Sequence, residues 1–291
     1  GEVDLNKLLQ NLQIDGAALP AESRLTIEGE YGAGVTSPAS GRLNLSKVSF
    51  VAGKSRFDAT GAVTSFSPVV ATLDGRSPYL NIDQLLPPPT EDEAPPPDSS
   101  EGSGLEGITV TADLQVDQVV YSGVTARDAR AKIVLENEQV ELKQLRFDVF
   151  GGRFSAAGTT LNLARDPIAY HVAAQLQALQ ASQVMGFMSE TLGETLSGQL
   201  STDINLDGAG FDVASMAQTL SGSFAMALSN GELNGVDLIG SAAQPVAKAL
   251  KAAKVKPSKA VTSFRELAAT FTVEEGRFVS TKPVRFDTPG G

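Results

Sequence analysis

Alternation of apolar and polar residues is the feature of this sequence that most restricts its fold. From Ile108 to Val116 every second residue is apolar and the intervening residues are mostly polar, and the same period of two returns from Ile168 to Leu176. Shorter copies of the pattern begin at Leu25, Leu43, Leu200, Phe224 and Leu267. Strands with one apolar face and one solvated face are typical of antiparallel sheets, so the pattern predicts a mainly β protein.

Composition excludes most catalytic chemistry. The 291 residues include no cysteine and a single histidine, His171. Thiol catalysis, disulfides, cysteine-ligated metals and multi-histidine sites are therefore excluded. The formal net charge of −11 disfavours nucleic acid as a partner, because an acidic surface repels phosphate groups. We predict no enzyme activity, no catalytic residue, no metal site and no cofactor.

Carboxylates are the remaining candidates for chemistry. Asp113 and Asp117 share the polar face of one predicted strand, and Asp203, Asp207 and Asp212 gather near predicted turns. Such pairs can serve glycoside hydrolysis or hold calcium. The sequence contains no Asp-x-Asp-x-Asp-Gly loop, however, and acids on a solvated strand face are common. We interpret them as surface acids.

A proline-rich acidic stretch from 87 to 104 divides the chain. It contains six prolines, five acidic residues and no basic residue. Such a composition predicts a solvated linker or long loop, with a proline-motif ligand as the alternative. The predicted organisation is an N-terminal β portion (1–86), the linker (87–104) and a C-terminal β portion (105–291). The sequence leaves open whether the two β portions share one sheet.

Three stretches change from a strand period to a helical period. They predict helices near 182–197, 212–220 and 241–254, with Ser182 and Asp212 suited to cap the first two. We expect these amphipathic helices to cover the edges or ends of a sheet. The alternative is a helix that lies on a membrane, chiefly the third, which carries lysines on one side.

Short polar pairs between the alternating runs predict tight turns. Such pairs are Asn137-Glu138, Gly151-Gly152, Asp207-Gly208 and Asn230-Gly231. Asparagine, aspartate and glycine favour hairpin turns because they adopt positive φ angles more readily than other residues.

A glycine-containing turn followed by an aromatic residue recurs along the chain. The segment from Gly53 to Gly61 resembles the segment from Gly151 to Gly158, with Phe57 matching Phe154. A fainter third copy is Gly276-Arg277-Phe278. The recurrence predicts one hairpin unit repeated along the chain, as in a sheet that grows by adding strands.

The C-terminal portion contains an ordered series of weak motifs. In chain order they are Phe147 to Gly158, Leu206-Asp207-Gly208, Leu220 to Phe224, Asn230 to Leu238 and Glu275 to Phe278. In this order, with a short helix before the third motif and a long helix before the last, residues 105–291 resemble the AsmA family of bacterial envelope proteins. The family is related to TamB and, more distantly, to bridge-like lipid-transfer proteins. The repeat extends the resemblance more weakly to the first 86 residues.

The resemblance implies both a shape and a function. The implied fold is an elongated, curved antiparallel β-sheet, similar to a groove or taco, with a few short amphipathic helices at its edges or ends. The implied function is binding or conduction of phospholipid in support of outer-membrane assembly and integrity. The implied location is the periplasm, with attachment to the bacterial inner membrane through an N-terminal segment missing from this sequence. Implied partners are phospholipid or another lipid, the membrane through that anchor, and other envelope proteins.

The apolar faces of the predicted strands would line such a groove. The candidate lipid-lining residues are Ile108, Val110, Leu114, Val116, Ile168, Tyr170, Val172, Leu176, Phe224, Met226 and Leu228. The same alternation also fits two sheets that meet over a closed core, and periodicity does not distinguish the two arrangements. Two functions therefore stay open: a lipid-binding protein, and a structural or adhesive β-repeat envelope protein with a closed core.

Overall fold

The computed structural model describes residues 2–4, 23–32, 41–85, 104–234 and 261–288. The strands in these ranges are β1 (Glu2–Asp4), β2 (Arg24–Gly32), β3 (Arg42–Ala52), β4 (Ser55–Phe66), β5 (Val69–Asn81), β6 (Ile108–Tyr121), β7 (Val124–Glu136), β8 (Gln139–Val149), β9 (Gly152–Ala156), β10 (Thr159–Asn162), β11 (Ala169–Gln180), β12 (Gln199–Ala209), β13 (Ser221–Asn234), β14 (Val261–Glu274), β15 (Arg277–Ser280) and β16 (Arg285–Asp287). The helices are α1 (Ile82–Leu85), α2 (Ala181–Met188), α3 (Glu190–Thr195) and α4 (Val213–Thr219). The predicted mainly β class with a few short helices is confirmed.

Strand pairing follows the chain almost throughout. The hydrogen-bonded order is β1 to β8, then β10 to β15, with β9 beside β8 and β11, and β16 beside β14. The pairing of β5 with β6 is parallel, with Val69 opposite Ile108. Parallel neighbours need a long connection that returns the chain to the same end of the sheet, and residues 82–107 supply it. The two predicted β portions therefore share a sheet, whereas 87–103 of the predicted linker lies outside the described residues.

The chain divides into two compact units. Unit 1 comprises Gly1–Asp148 and Ser155–Val172, and unit 2 comprises Val149–Phe154 and Ala173–Gly291. Helix α1 belongs to unit 1, whereas α2, α3 and α4 belong to unit 2. Most of the helical structure in the described residues thus accompanies the second unit.

The helix predicted near 182–197 is wrong in one respect, because two helices occupy this stretch. Helix α2 starts after Gln180 without a side-chain cap, so Ser182 does not cap it. Ser189 then adopts an extended conformation with φ −166° and ψ 129°. A Cβ on Gly193 would lie 2.8 Å from the Cα of Gly186. Because Gly186 and Gly193 have no side chains, α2 and α3 can pack closely against each other at these two residues. A single continuous helix would keep the two residues apart.

The helix predicted near 212–220 is confirmed as α4. The Oδ1 atom of Asp212 accepts hydrogen bonds from the amides of Ala214 at 3.0 Å and Ser215 at 2.9 Å. Hydrogen bonds from Ser215, first through its side chain and then through its backbone, lower the pKa of Asp212. The helix predicted near 241–254 lies outside the described residues. No helix in the described ranges is long and apolar enough to cross a membrane.

All three copies of the sequence repeat are turns that lead into a strand. Gly53, Gly151 and Gly276 have φ angles of 58°, 73° and 69° and precede β4, β9 and β15. These left-handed values explain why glycine recurs at the start of each copy. The turn predicted at Asn137-Glu138 is also confirmed, since both residues have positive φ between β7 and β8.

Two predicted turns are wrong. Asp207-Gly208 lies inside β12 and Asn230-Gly231 lies inside β13. At Asn230 the φ angle is 51°, and pairing with β14 skips this residue before resuming at Gly231. The positive φ at Asn230 therefore lies within a continuous strand that keeps the same register with β14 on both sides of it, and the chain does not reverse there.

Candidate functional site

The register of unit 1 aligns apolar residues into rows that cross the strands. Residues directly opposite each other in neighbouring strands project from the same face of a sheet. One row passes through Tyr31, Leu43, Val63, Ala71, Val110, Leu135, Val140, Leu161 and Tyr170. With about 4.8 Å between strands, this row is roughly 38 Å long.

Further rows lie beside the first on the same face. One consists of Leu45, Gly61, Leu73, Ala112, Ile133 and Leu142. The next consists of Ile27, Val48, Ala59, Gly75, Leu114, Ala131 and Leu145. Together the three rows form what we call the apolar face of unit 1.

The apolar face of unit 1 is incompletely covered. Every residue of the first row from Leu43 to Leu161 is half-buried, and Tyr31 is 53% exposed. The fully buried hydrophobic residues in the described part of unit 1 are Ala52, Ala59, Ala156 and Tyr170. None of these four is a leucine, isoleucine, valine or phenylalanine. A sheet face sealed beneath a second layer would bury such side chains, so no second layer seals this face within the described ranges of unit 1.

The opposite face of unit 1 carries ion pairs. Lys132 Nζ lies 3.2 Å from Asp113 Oδ2 across the β6–β7 pair. Asp58 accepts hydrogen bonds from Arg56 Nε at 2.7 Å and from Ser49 Oγ at 2.6 Å. The hydrogen bond from Arg56, followed by that from Ser49, lowers the pKa of Asp58. Unit 1 is thus a sheet with one apolar face and one solvated, charged face.

Most predicted lining residues of unit 1 lie on its apolar face. Ile108, Val110, Leu114 and Val116 share one side of β6 and are half-buried. The second predicted strand begins at Ala169, one residue after Ile168. In β11, Tyr170 is 8% exposed and Val172 is half-buried. Leu176, further along the strand, belongs to unit 2 and is half-buried.

In unit 2, one end of the apolar sheet face is covered by other residues of the same unit. A buried cluster consists of Ala181, Leu200, Leu228, Leu233 and Phe264, with Val184, Leu196, Met226, Leu267 and Phe286 packed against it. Ala181 and Val184 come from α2, so the helix supplies part of the cover. Leu228 is 1% exposed. Of the predicted lining residues, Leu228 and Met226 therefore belong to a packed core.

Three phenylalanines group further along the same strands of unit 2. The ring centres of Phe224 and Phe271 are 6.2 Å apart, and Phe278 lies 6.1 Å from Phe224 and 6.3 Å from Phe271. Phe278 is 54% exposed. Phe224, a predicted lining residue, is half-buried within this group. The apolar face of unit 2 is therefore closed over the buried cluster and partly open at the aromatic group.

Three of the acidic residues considered for chemistry have local structural partners. Asp113 pairs with Lys132, Asp203 Oδ1 accepts a hydrogen bond from Gln175 Nε2 at 2.9 Å, and Asp212 caps α4. Within the described ranges, no three side chains of histidine, cysteine, aspartate or glutamate come together in a way that could hold a metal ion. The absence of catalytic and metal-binding residues stays a prediction.

Sequence reasoning missed much of the apolar face of unit 1. The omitted residues all belong to the first row, which also contains Val110. They include Leu43, Val63, Leu135, Val140 and Leu161. The alternation of Ala131, Ile133 and Leu135 in β7 was a usable signal. In β4 and β5 the signal is weak because glycine and alanine occupy several positions of the face.

The AsmA family model matches residues 98–282, which is more than half of the chain and spans β6 to β15. No curated protein and no solved structure matches the chain. The matched family supports, in general terms, a membrane-related function of the lipid-transport kind in the cell envelope. With its ordered motifs and its repeated hairpins, this chain belongs to the AsmA family.

Proposed function

We propose that unit 1 binds phospholipid acyl chains along its apolar face. The observation that carries this proposal is the set of aligned apolar rows whose large side chains are half-buried rather than sealed. Non-directional apolar contact is sufficient to hold an acyl chain, and it requires no catalytic group. The ion pairs on the other face keep that side of the sheet in water.

The energy of acyl-chain transfer favours such a surface. Each methylene moved from water to an apolar environment contributes about 0.8 kcal/mol, so a chain of about sixteen carbons contributes roughly 12 kcal/mol. Contact with one apolar sheet face would recover part of this energy, and a lipid held there would cross water without exposing its full tail. The first apolar row continues over nine strands, which allows a lipid to change position without leaving the face.

We further propose that the chain acts as the periplasmic part of an envelope protein anchored in the bacterial inner membrane. In that setting it would conduct phospholipid in support of outer-membrane assembly and integrity, without enzymatic activity. Membership of the AsmA family supports this setting. The anchor and any envelope protein partners would lie outside the described face.

A first experiment tests whether lipid accompanies the protein. The chain is purified without detergent and extracted, and the extract is analysed for phospholipid by mass spectrometry. We expect co-purified phospholipid and saturable uptake of a fluorescent phospholipid. Repeated absence of both would contradict the proposal.

A second experiment locates the bound chain. The sequence contains no tryptophan, so Val110→Trp places a single fluorophore on the apolar face. Thr111→Trp, on the next residue of β6, places it on the opposite face and is the matched control. We expect phospholipid with brominated acyl chains to quench the tryptophan strongly in Val110→Trp and weakly in Thr111→Trp. Equal quenching in the two variants would place the lipid elsewhere.

A third experiment blocks the path. We expect Val110→Lys to reduce phospholipid transfer between vesicles several-fold, because a charge on the face must keep its water. Thr111→Lys adds the same charge to the solvated face and should leave transfer unchanged. Unchanged transfer in both variants would favour the alternative function, a structural or adhesive role. The specific observation that supports this alternative is the buried cluster of unit 2.

A further inference from the structure

Strand β15 lies at one edge of the sheet in unit 2. It pairs with β14 on one side, and no described strand lies on its other side. The amide of Thr281 donates to the carbonyl of Thr270 at 3.0 Å, which fixes the direction of the backbone groups that precede it. Because these groups alternate in direction along a strand, those of Phe278 and Ser280 are directed away from β14. Within the described part of the chain, the outer edge of β15 therefore presents N–H and C=O groups that no strand pairs.

The side chains of this edge are apolar and exposed on both faces of the sheet. Phe278 and Val279 project from opposite faces, and each is 54% exposed. Proteins commonly protect a sheet edge with lysine, proline or an irregularity. Here Lys282 and Pro283 follow the end of β15, so they limit the length of an added strand but leave β15 itself accessible. The edge therefore fits another short β-strand.

We propose that β15 pairs with β15 of a second copy of this chain, antiparallel, about a two-fold axis that passes between the two Val279 residues. In this register Phe278 of each copy lies opposite Ser280 of the other, so the outward N–H and C=O groups of both residues are paired. A two-fold axis at Phe278 would instead place Ser280 opposite Gly276, whose amide already donates to the carbonyl of Leu220 at 2.9 Å. The register about Val279 satisfies the edge more completely.

The side chains agree with this register. The two Val279 residues become direct cross-strand neighbours, and contacts between branched side chains at such positions stabilise a sheet. Arg277 falls opposite Thr281 of the second copy, so like charges are not opposed. Lys282 comes to lie beside the turn that contains Glu275 of the second copy, which brings opposite charges together.

The expected dimer is weak and depends on concentration. A pair of short strands buries much less than the roughly 1,600 Å² of a standard stable interface. Pairing about this axis keeps equivalent faces of the two sheets on the same side, because directly opposite residues share a face. The interface uses the edge of unit 2 and no residue of the apolar face of unit 1, so the proposal does not rest on lipid binding.

Cysteine cross-linking tests the register, since the chain contains no cysteine of its own. Val279→Cys places one thiol of each copy beside the axis, with Cα atoms about 4.5 Å apart, which is within the range of a disulfide. We expect a disulfide-linked dimer on mild oxidation without detergent, in about 0.5 M salt to screen the net charge of −11. Val261→Cys, at a valine of the same unit that is also 54% exposed, is the matched control and should cross-link at least tenfold more slowly.

A third position separates this register from its neighbours. In the proposed dimer the two Arg277 residues are offset by four positions, roughly 13 Å, so Arg277→Cys should cross-link as slowly as the control. Equal rates for Val279→Cys and Val261→Cys would overturn the proposal. Faster cross-linking of Arg277→Cys than of Val279→Cys would overturn it as well.

Sedimentation velocity over a range of concentrations measures the dimer without a cross-link. Val279→Lys puts two like charges directly opposite each other and should weaken dimerisation at least tenfold, whereas Val261→Lys should leave it unchanged. Ser280→Pro removes an outward N–H while sparing the hydrogen bonds to β14, and it should weaken dimerisation similarly; thermal unfolding verifies that each variant is folded. A parent chain that stays monomeric up to about 1 mM, or a dimer equally strong in Val279→Lys, would refute the proposal.

Discussion

Units 1 and 2 are built from the same kind of alternating strand, yet their apolar faces differ in cover. In unit 1, Val110 and Leu135 are directly opposite each other and both are half-buried. In unit 2, the equivalent cross-strand partners Leu200 and Leu228 are 7% and 1% exposed. Helix α2 adds Ala181 and Val184 to the second set. An alternating strand thus becomes core or open surface according to the element placed over it.

The largest difference between the units should appear on truncating a leucine. Leu228→Ala removes a side chain from a sealed cluster and should lower the stability of unit 2 by about 2–5 kcal/mol. Leu135→Ala, the matched change on the open face, should lower the stability of unit 1 by about 1 kcal/mol, because water already reaches that side chain. Hydrogen exchange read by mass spectrometry assigns each loss to its unit. Equal losses would mean that the face of unit 1 is covered in solution.

A glycine beneath a phenylalanine provides a second matched pair. In unit 2 a Cβ on Gly231 would clash with the carbonyl oxygen of Ser197 and with the ring of Phe264, which is 3% exposed. In unit 1 a Cβ on Gly75 would clash with the half-buried ring of Phe57. Both alanine variants should destabilise by overpacking, in the range of about 1–3 kcal/mol.

Gly231→Ala should have the larger effect of the two. Phe264 is enclosed and the Ser197 carbonyl belongs to the backbone, whereas Phe57 can move towards the open face. Thermal unfolding of the two variants, compared with the parent chain, measures the difference. A larger loss for Gly75→Ala would show that unit 1 is the more tightly packed unit, which is the reverse of the order expected from burial.

The sequence sufficed for features that are set locally. Alternation identified the central part of β6 because the polarity of each residue indicates which face of the sheet it occupies. Asp212 identified the start of α4 because a capping side chain binds the amides of the next few residues. The glycines of the repeat were informative for the same reason, since a positive φ is a property of one residue.

Features that depend on distant residues were not predictable in this way. The parallel pairing of β5 with β6 joins strands that are separated by 26 residues in the chain, and the break at Ser189 depends on the approach of Gly186 to Gly193. Likewise, nothing in the pattern around Leu228 indicates that α2 will cover it while Val110 stays open. Periodicity gives the face of a residue but not the neighbour that packs on that face.

Of the changes considered, acidification should have the smallest effect on stability. It should act on unit 1 through the carboxyl group of Asp58. Hydrogen bonds from Arg56 and Ser49 lower the pKa of this carboxyl group in the folded protein. Such a group stabilises the fold above its unfolded pKa of about 3.9, and the stabilisation is lost as the pH falls through the lower folded value. The effect is small because the Arg56 and Asp58 side chains are 58% and 41% exposed.

Replacing Asp58 by a residue that does not titrate tests this assignment. Asp58→Asn should flatten the decline in stability of unit 1 as the pH falls below about 5, as measured by denaturant titration at each pH. Asp212→Asn, which removes a carboxyl group of lowered pKa from unit 2, is the control and should leave the acid response of unit 1 unchanged. If Asp58→Asn declines as steeply as the parent chain, a different group must account for the acid sensitivity of unit 1.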